Sequence, residues 1–120
     1  MKVSYTTADG RMTVEIDADQ PKQVFAEIGM FQEVFENTVC GACGHTDVRF
    51  STREVDGNTY YELRCAKCGA KLAFGAHNNN KGTLFPKLKA GKNDQSQLDE
   101  GTWLPNKGWM KWDKEQGKAV

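Results

Sequence analysis

The sequence predicts an α+β domain in which an N-terminal β-hairpin and one helix pack on an antiparallel sheet that carries four cysteines. Three observations predict it. Two runs of alternating apolar and polar residues surround "ADG" at 8–10, a single stretch with helical apolar spacing follows, and two Cys-x-x-Cys pairs bracket a second set of alternating runs. At 120 residues the chain fits one domain. Residues 1–37 form the hairpin and helix, 38–75 the cysteine-bearing sheet, and 76–120 a basic, Trp-rich C-terminal segment.

The elements are justified in order. "KVSYTT" at 2–7 places Val3 and Tyr5 on one face, and "RMTVEID" at 11–17 does the same with Met12, Val14 and Ile16. Asp-Gly between alternating runs signals a hairpin. In "ADQPKQVFAEIGMFQEVFEN", Asp19 or Gln20 can cap a helix and Pro21 suits its first turn. Val24, Ile28, Phe31 and Phe35 share a face, and Phe25 and Val34 widen the stripe. Two hairpins need a helix to cover them, so the stripe reads as core. Gly29 weakens the helix centre by roughly 1 kcal/mol against Ala and reads as a close packing contact, with Asn37 as the stop. "VRFSTREV" at 48–55 and "TYYELR" at 59–64 are strands joined by "DGN" at 56–58. "AKLAFG" at 70–75 is a third and "TLF" at 83–85 a brief fourth. "AGKNDQSQLDEG" at 90–101 reads as a mobile loop. The end places three Trp in ten residues, with "NKG" a turn between "WL" and "WMKW" and the last eight residues frayed. If "WMKW" is a strand, Trp109 and Trp112 point to opposite faces, one into the core and one outward.

Apolar residues make up 38% and charged residues 27%. That composition fits a soluble protein with a thin core, of the kind often stapled by a metal or by disulfides. No apolar run approaches the ~20 residues of a membrane span, and the N-terminus has no apolar signal region. The expected setting is the cytoplasm, without a membrane, where paired cysteines bind metal more often than each other. Sixteen basic and sixteen acidic residues cancel, but unevenly: residues 1–39 carry three basic and seven acidic, a net of −4, and residues 40–120 carry thirteen and nine, a net of +4.

All four cysteines lie in "CGACG" at 40–44 and "CAKCG" at 65–69, with 21 residues between the pairs. A Cys-x-x-Cys turn aims both thiolates at one point, and Gly44 and Gly69 allow the tight backbone that brings amides to the sulfurs. Two such turns at the base of a hairpin bring Cys40, Cys43, Cys65 and Cys68 into a tetrahedron suited to one structural Zn²⁺. A redox pair needs only one motif near a helix start, and a catalytic zinc keeps an open position. An iron–sulfur cluster shares the ligand set, although two knuckles around a hairpin favour zinc. His45 is an alternative ligand, read here as a surface residue.

The knuckles flanking "VRFSTREVDGNTYYELRC" resemble a zinc ribbon, over about residues 38–75. Ribbons of this kind occur in transcription elongation factors, polymerase subunits and primases, where they usually contact nucleic acid or a polymerase. The acidic pair at the tip of elongation-factor ribbons has no adjacent counterpart here, since Glu54 and Asp56 are separated, and they read as a solvated turn. The wider order, with "YYELRCAKCGAKLAFG", "GTLFPK" and "WLPNKGWMKW", resembles small phage-encoded zinc-ribbon proteins that accompany DNA replication and recombination genes. That resemblance implies single-stranded DNA binding, in the host cytoplasm.

Residues 63–93 contain seven Lys or Arg and no Asp or Glu. Arg64, Lys67 and Lys71 offset the formal −2 of a four-thiolate zinc. Lys81, Lys87, Lys89 and Lys92 lie well beyond it in sequence and read as a phosphate track interleaved with Phe85. Trp109 and Trp112 beside Lys111 extend it, because single-strand binding combines charges along the backbone with rings that stack on bases. Phe74, Tyr60, Tyr61 and Trp103 are further candidate rings. No nucleophile–base order, Gly-rich phosphate loop or paired carboxylates point to an enzyme. The expected function is therefore non-catalytic nucleic-acid binding. The alternative is an interaction module whose ribbon and acidic half dock on a replication, transcription or host-defence protein.

Overall fold

The computed structural model describes residues 1–92 and 98–120. It is an α+β fold of one helix and antiparallel strands that begins with a β-hairpin. β1 (Lys2–Thr6) pairs with β2 (Thr13–Asp17) in the register Thr6↔Thr13. The connection is longer than a two-residue Asp-Gly turn. Buried Thr7 donates its hydroxyl to Asp9 Oδ1 at 2.6 Å, and the Met12 N–H donates to that hydroxyl at 3.1 Å. Gly10 supplies the left-handed residue, at φ +75°.

α1 (Pro21–Phe35) starts where Gln23 Oε1 accepts the N–H groups of Asp19 and Gln20 at 3.1 and 3.3 Å. It stops where Asn37 Nδ2 donates back to the Glu33 carbonyl at 2.6 Å. Tyr5 meets Phe31 edge-on at 5.8 Å, Phe31 lies 4.7 Å from Phe35, and Phe35 lies 5.6 Å from Phe50. This ring chain ties hairpin, helix and sheet together. The predicted stripe is narrower than its spacing implied. Val34 is buried and Val24, Ile28, Phe31 and Phe35 are half-buried, but Phe25 is 83% exposed. Periodicity assigns a residue to a face without saying how far the opposing surface extends.

Gly29 marks no close contact, since a Cβ built there meets nothing within 4 Å. Gly29→Ala should therefore stabilise the protein by about 1 kcal/mol through helix propensity alone. The check is a thermal melt, in which a midpoint raised by about 3–6 °C is expected. A lowered midpoint would mean that the space is filled.

The main sheet runs β3 (Val48–Val55), β4 (Asn58–Cys65), β5 (Lys71–His77), β6 (Asn80–Pro86). Asp56 and Gly57 turn β3 into β4 with φ +50° and +82°, the pattern of a tight hairpin turn. Asn78 and Asn79 turn β5 into β6, so "HNNNKG" is a hairpin tip rather than a loop and the fourth strand is longer than "TLF". Side chains alternate across a sheet, so the register places Val48, Phe50, Leu63, Leu72 and Phe74 on the face that α1 covers. Arg53, Tyr60, Glu62, Arg64, Lys71 and Phe85 occupy the opposite face.

The C-terminal segment is better ordered than expected. The Leu104 N–H donates to the Leu88 carbonyl at 2.8 Å and the Ala90 N–H to Thr102 at 2.7 Å, which closes the base of the 90–101 loop. The loop centre, 93–97, lies outside the described residues. Asn106 and Lys107 are both left-handed (φ +54° and +56°) within a short 3-10 turn, Pro105–Gly108. This is the predicted turn, but "WL" does not pair with "WMKW". Instead β7 (Trp109–Met110) adds to β5 through Leu72↔Trp109, on the half of that edge that β6 leaves open. β8 (Trp112–Asp113) then pairs with β9 (Lys118–Ala119). Reciprocal 2.7 Å bonds between Lys111 and Val120 close that hairpin, so the last eight residues are not frayed. No helix among the described residues is long and apolar enough to cross a membrane.

Candidate functional site

The two cysteine turns are built alike. Gly44 N–H donates to the Cys40 carbonyl at 2.8 Å and Gly69 N–H to the Cys65 carbonyl at 3.0 Å, with φ +78° and +80° at the two glycines. Cys40 N–H reaches the His45 carbonyl and Cys65 N–H the Ala70 carbonyl, each at 2.9 Å. Amides then approach the sulfurs: Ala42 to Cys40 Sγ, Cys68 to Cys65 Sγ and Ala70 to Cys68 Sγ, all at 3.4 Å.

The four Sγ atoms lie within 4.8 Å of one another. Cys40 and Cys68 are 3.7 Å apart, and Cys43 and Cys65 are 3.5 Å apart. Four sulfurs bound at ~2.3 Å around one tetrahedral ion would lie about 3.8 Å apart, so the cluster can hold one metal ion. The amide of Cys68 is the main influence drawing the Cys65 thiol down, to about 6, with the Lys67 amide adding to it against burial. The His45 amide lowers Cys43, but burial and the three neighbouring sulfurs outweigh it and push that thiol up to about 11. Four clustered thiols resist full ionisation by themselves, which is the condition a cation relieves. His45 is not part of the cluster; its Nδ1 accepts the Asp47 N–H at 3.1 Å.

The C-terminal turn is seated on the first knuckle. A Cβ at Gly41 would come 2.6 Å from Trp109 Cδ1, and closer still to the Asn106 carbonyl oxygen. Trp109 is 3% exposed and belongs to the same core cluster as Cys40, Cys65 and Leu72. It is therefore a core residue and not a stacking surface, whereas Trp112 is 57% exposed. One ring is in and one is out, as expected, but "WMKW" is not the single strand that was expected to produce this. The chain changes sheets at Lys111, between β7 and β8.

Beyond the knuckles, Phe85, Lys87, Lys89 and Lys92 come together with Trp103 around a groove of about 650 Å³. Among the described residues no carboxylate lines it. Lys89 Nζ sits 4.6 Å from the Trp103 ring centroid, and Trp103 is 67% exposed. Phe85 rests 5.0 Å from the His77 ring. Arg64, Lys71, Lys111 and Trp112 lie elsewhere, on or beside the open sheet face, and Lys67 is exposed in the second knuckle. Lys81 belongs to β6. Sequence reasoning named Trp103 only as one ring among several. The signal that finds it is its antiparallel bridge to Lys89, a contact across 14 residues that no local pattern encodes.

Comparison with protein-family models, curated proteins and solved structures found no match.

Proposed function

We propose that the protein binds single-stranded nucleic acid, DNA first, without catalysis, on a fold held by one structural Zn²⁺. The observation that carries this reading is the groove of Phe85, Lys87, Lys89, Lys92 and Trp103, which no carboxylate lines among the described residues. Lysines along such a groove neutralise phosphates, and an exposed indole offers a face on which any base stacks. Lys89 lies over one face of Trp103, which leaves the other for a base. Zinc is favoured for the metal centre because four thiolates in two knuckles close the coordination shell and leave no open position for chemistry. The resemblance to phage-encoded zinc-ribbon proteins favours a replication or recombination setting. A protein-docking reading has its own support, the 83% exposed Phe25 on the helix of the acidic half.

The test is a polarisation titration of labelled single- and double-stranded DNA and RNA at two salt concentrations. Single-stranded DNA is expected to bind, and more weakly at high salt. Replacing Lys87, Lys89 and Lys92 with Ala should weaken binding and flatten the log–log salt slope by ~0.7 per lost contact, about 2 in all. A folded triple variant with unchanged affinity and slope would transfer the assignment to protein docking.

A further inference from the structure

The open face of the ribbon sheet carries a second cleft, of about 340 Å³, lined by Arg53, Tyr60, Lys71, Lys111 and Trp112 among others. Lys87 lines both this cleft and the first groove, so the two are adjacent. We propose that the second cleft is a separate base-stacking subsite, and that one unpaired strand runs from Trp103 past Lys87 to Trp112 and Tyr60. This rests on the reading of the first groove as a single-strand site.

Two observations support a subsite over a merely solvated sheet face. The first is ring exposure: Trp112 is 57% and Tyr60 38% exposed at the cleft. The second is the treatment of Glu62, the one carboxylate among the described residues that line the cleft. Glu62 is only 7% exposed and accepts Arg53 Nε at 3.0 Å, with Arg64 at 3.6 Å. It is thus buried under two guanidinium groups, and it fixes Arg53 4.6 Å over the Tyr60 ring. The surface that remains is cationic, because Lys71, Lys87 and Lys111 line the cleft with no further carboxylate among the described residues. Rings and cations alternating along an open face suit bases that are free to splay out, and a paired duplex keeps its bases stacked inside.

The experiment compares single-stranded DNA of about 4 and about 12 nucleotides, within the range of such sites, against wild type, Trp112→Ala and Trp112→Phe. Wild type is expected to bind the longer strand more tightly. Trp112→Ala should lose about 5- to 150-fold on the longer strand and nothing on the shorter one, and Trp112→Phe should restore most of the loss. If Trp112→Ala melts early, Tyr60→Ala replaces it with the same expected split. Wild-type affinity that does not grow with length, or a variant that weakens both strands equally or neither, overturns the second subsite while leaving the first groove standing. Wild type that binds neither strand overturns both readings.

Discussion

Cys65→Ser is expected to abolish metal binding and, with it, the cooperative unfolding transition. Cys40 and Cys65 are core residues as well as candidate ligands, at 1% and 3% exposure. The largest fully buried side chains are Leu63, Leu72 and Cys40, so the cysteine cluster is built on one side into a thin core, while Cys43 faces outward. Structural zinc contributes an apparent ~10–16 kcal/mol in small zinc domains, as much as the whole ~5–15 kcal/mol of net stability of an ordinary domain. The variant should therefore lose its fixed tertiary structure rather than shift its midpoint. Elemental analysis and a melt followed by circular dichroism check this. A wild-type protein without zinc, or a chelated one with an unchanged midpoint, would refute it. The pH dependence has a definite sign. Metal-bound thiolates are deprotonated in the folded state, so their stabilisation is present at neutral pH and is lost as pH falls and protons displace the metal. The amides that already hold Cys65 at about 6 without metal move that loss further towards acid.

Trp109→Ala is expected to cost about 3–5 kcal/mol, the range for deleting a buried aromatic side chain. Its ring packs against the first knuckle at Gly41 and its backbone completes the edge of β5 at Leu72. The substitution therefore opens a cavity beside the cysteine cluster and loosens the strand that holds the C-terminal segment. Trp112→Ala is the matched control, since exposed substitutions usually stay within about 0.5 kcal/mol. A pair of denaturant titrations separates them: Trp109→Ala should lower the midpoint steeply and Trp112→Ala should leave it almost unchanged. Equal midpoints would mean that the segment after Leu104 does not belong to the core.

What the sequence made legible was local. Cysteine spacing and the two following glycines specify the knuckles, because a Cys-x-x-Cys-Gly turn is complete within a few residues. The Asp56–Gly57 turn and the helix start at Pro21 are equally self-contained. What it hid was non-local. Nothing in "LAFGAHNNNKGTLFPK" says that the outer edge of β5 is divided, with Phe74 facing Pro86 in β6 and Leu72 facing Trp109 from 37 residues away. "HNNNKG" has the composition of a loop, and only pairing with β5 makes its end a strand. The ends of the 90–101 segment look mobile in polarity but are held by backbone bonds between Ala90 and Thr102, whose partners composition does not name. The candidate site divides in the same way: the four sulfurs were readable, whereas the place of Trp103 beside Lys89 was not.

The three indoles stand in three different surroundings: Trp109 sealed against a knuckle, Trp103 beneath an ammonium group and Trp112 in the open. The protein thus carries its own optical reporters. Blue-shifted emission from the sealed indole would report on the packing around the cysteine cluster, and quenching of the two outer indoles would report on any ligand that settles on the surface. A Trp109→Phe variant that remains folded would silence the first signal and leave the second, so that loading of the core and occupation of the exterior could be read separately in one cuvette without a label.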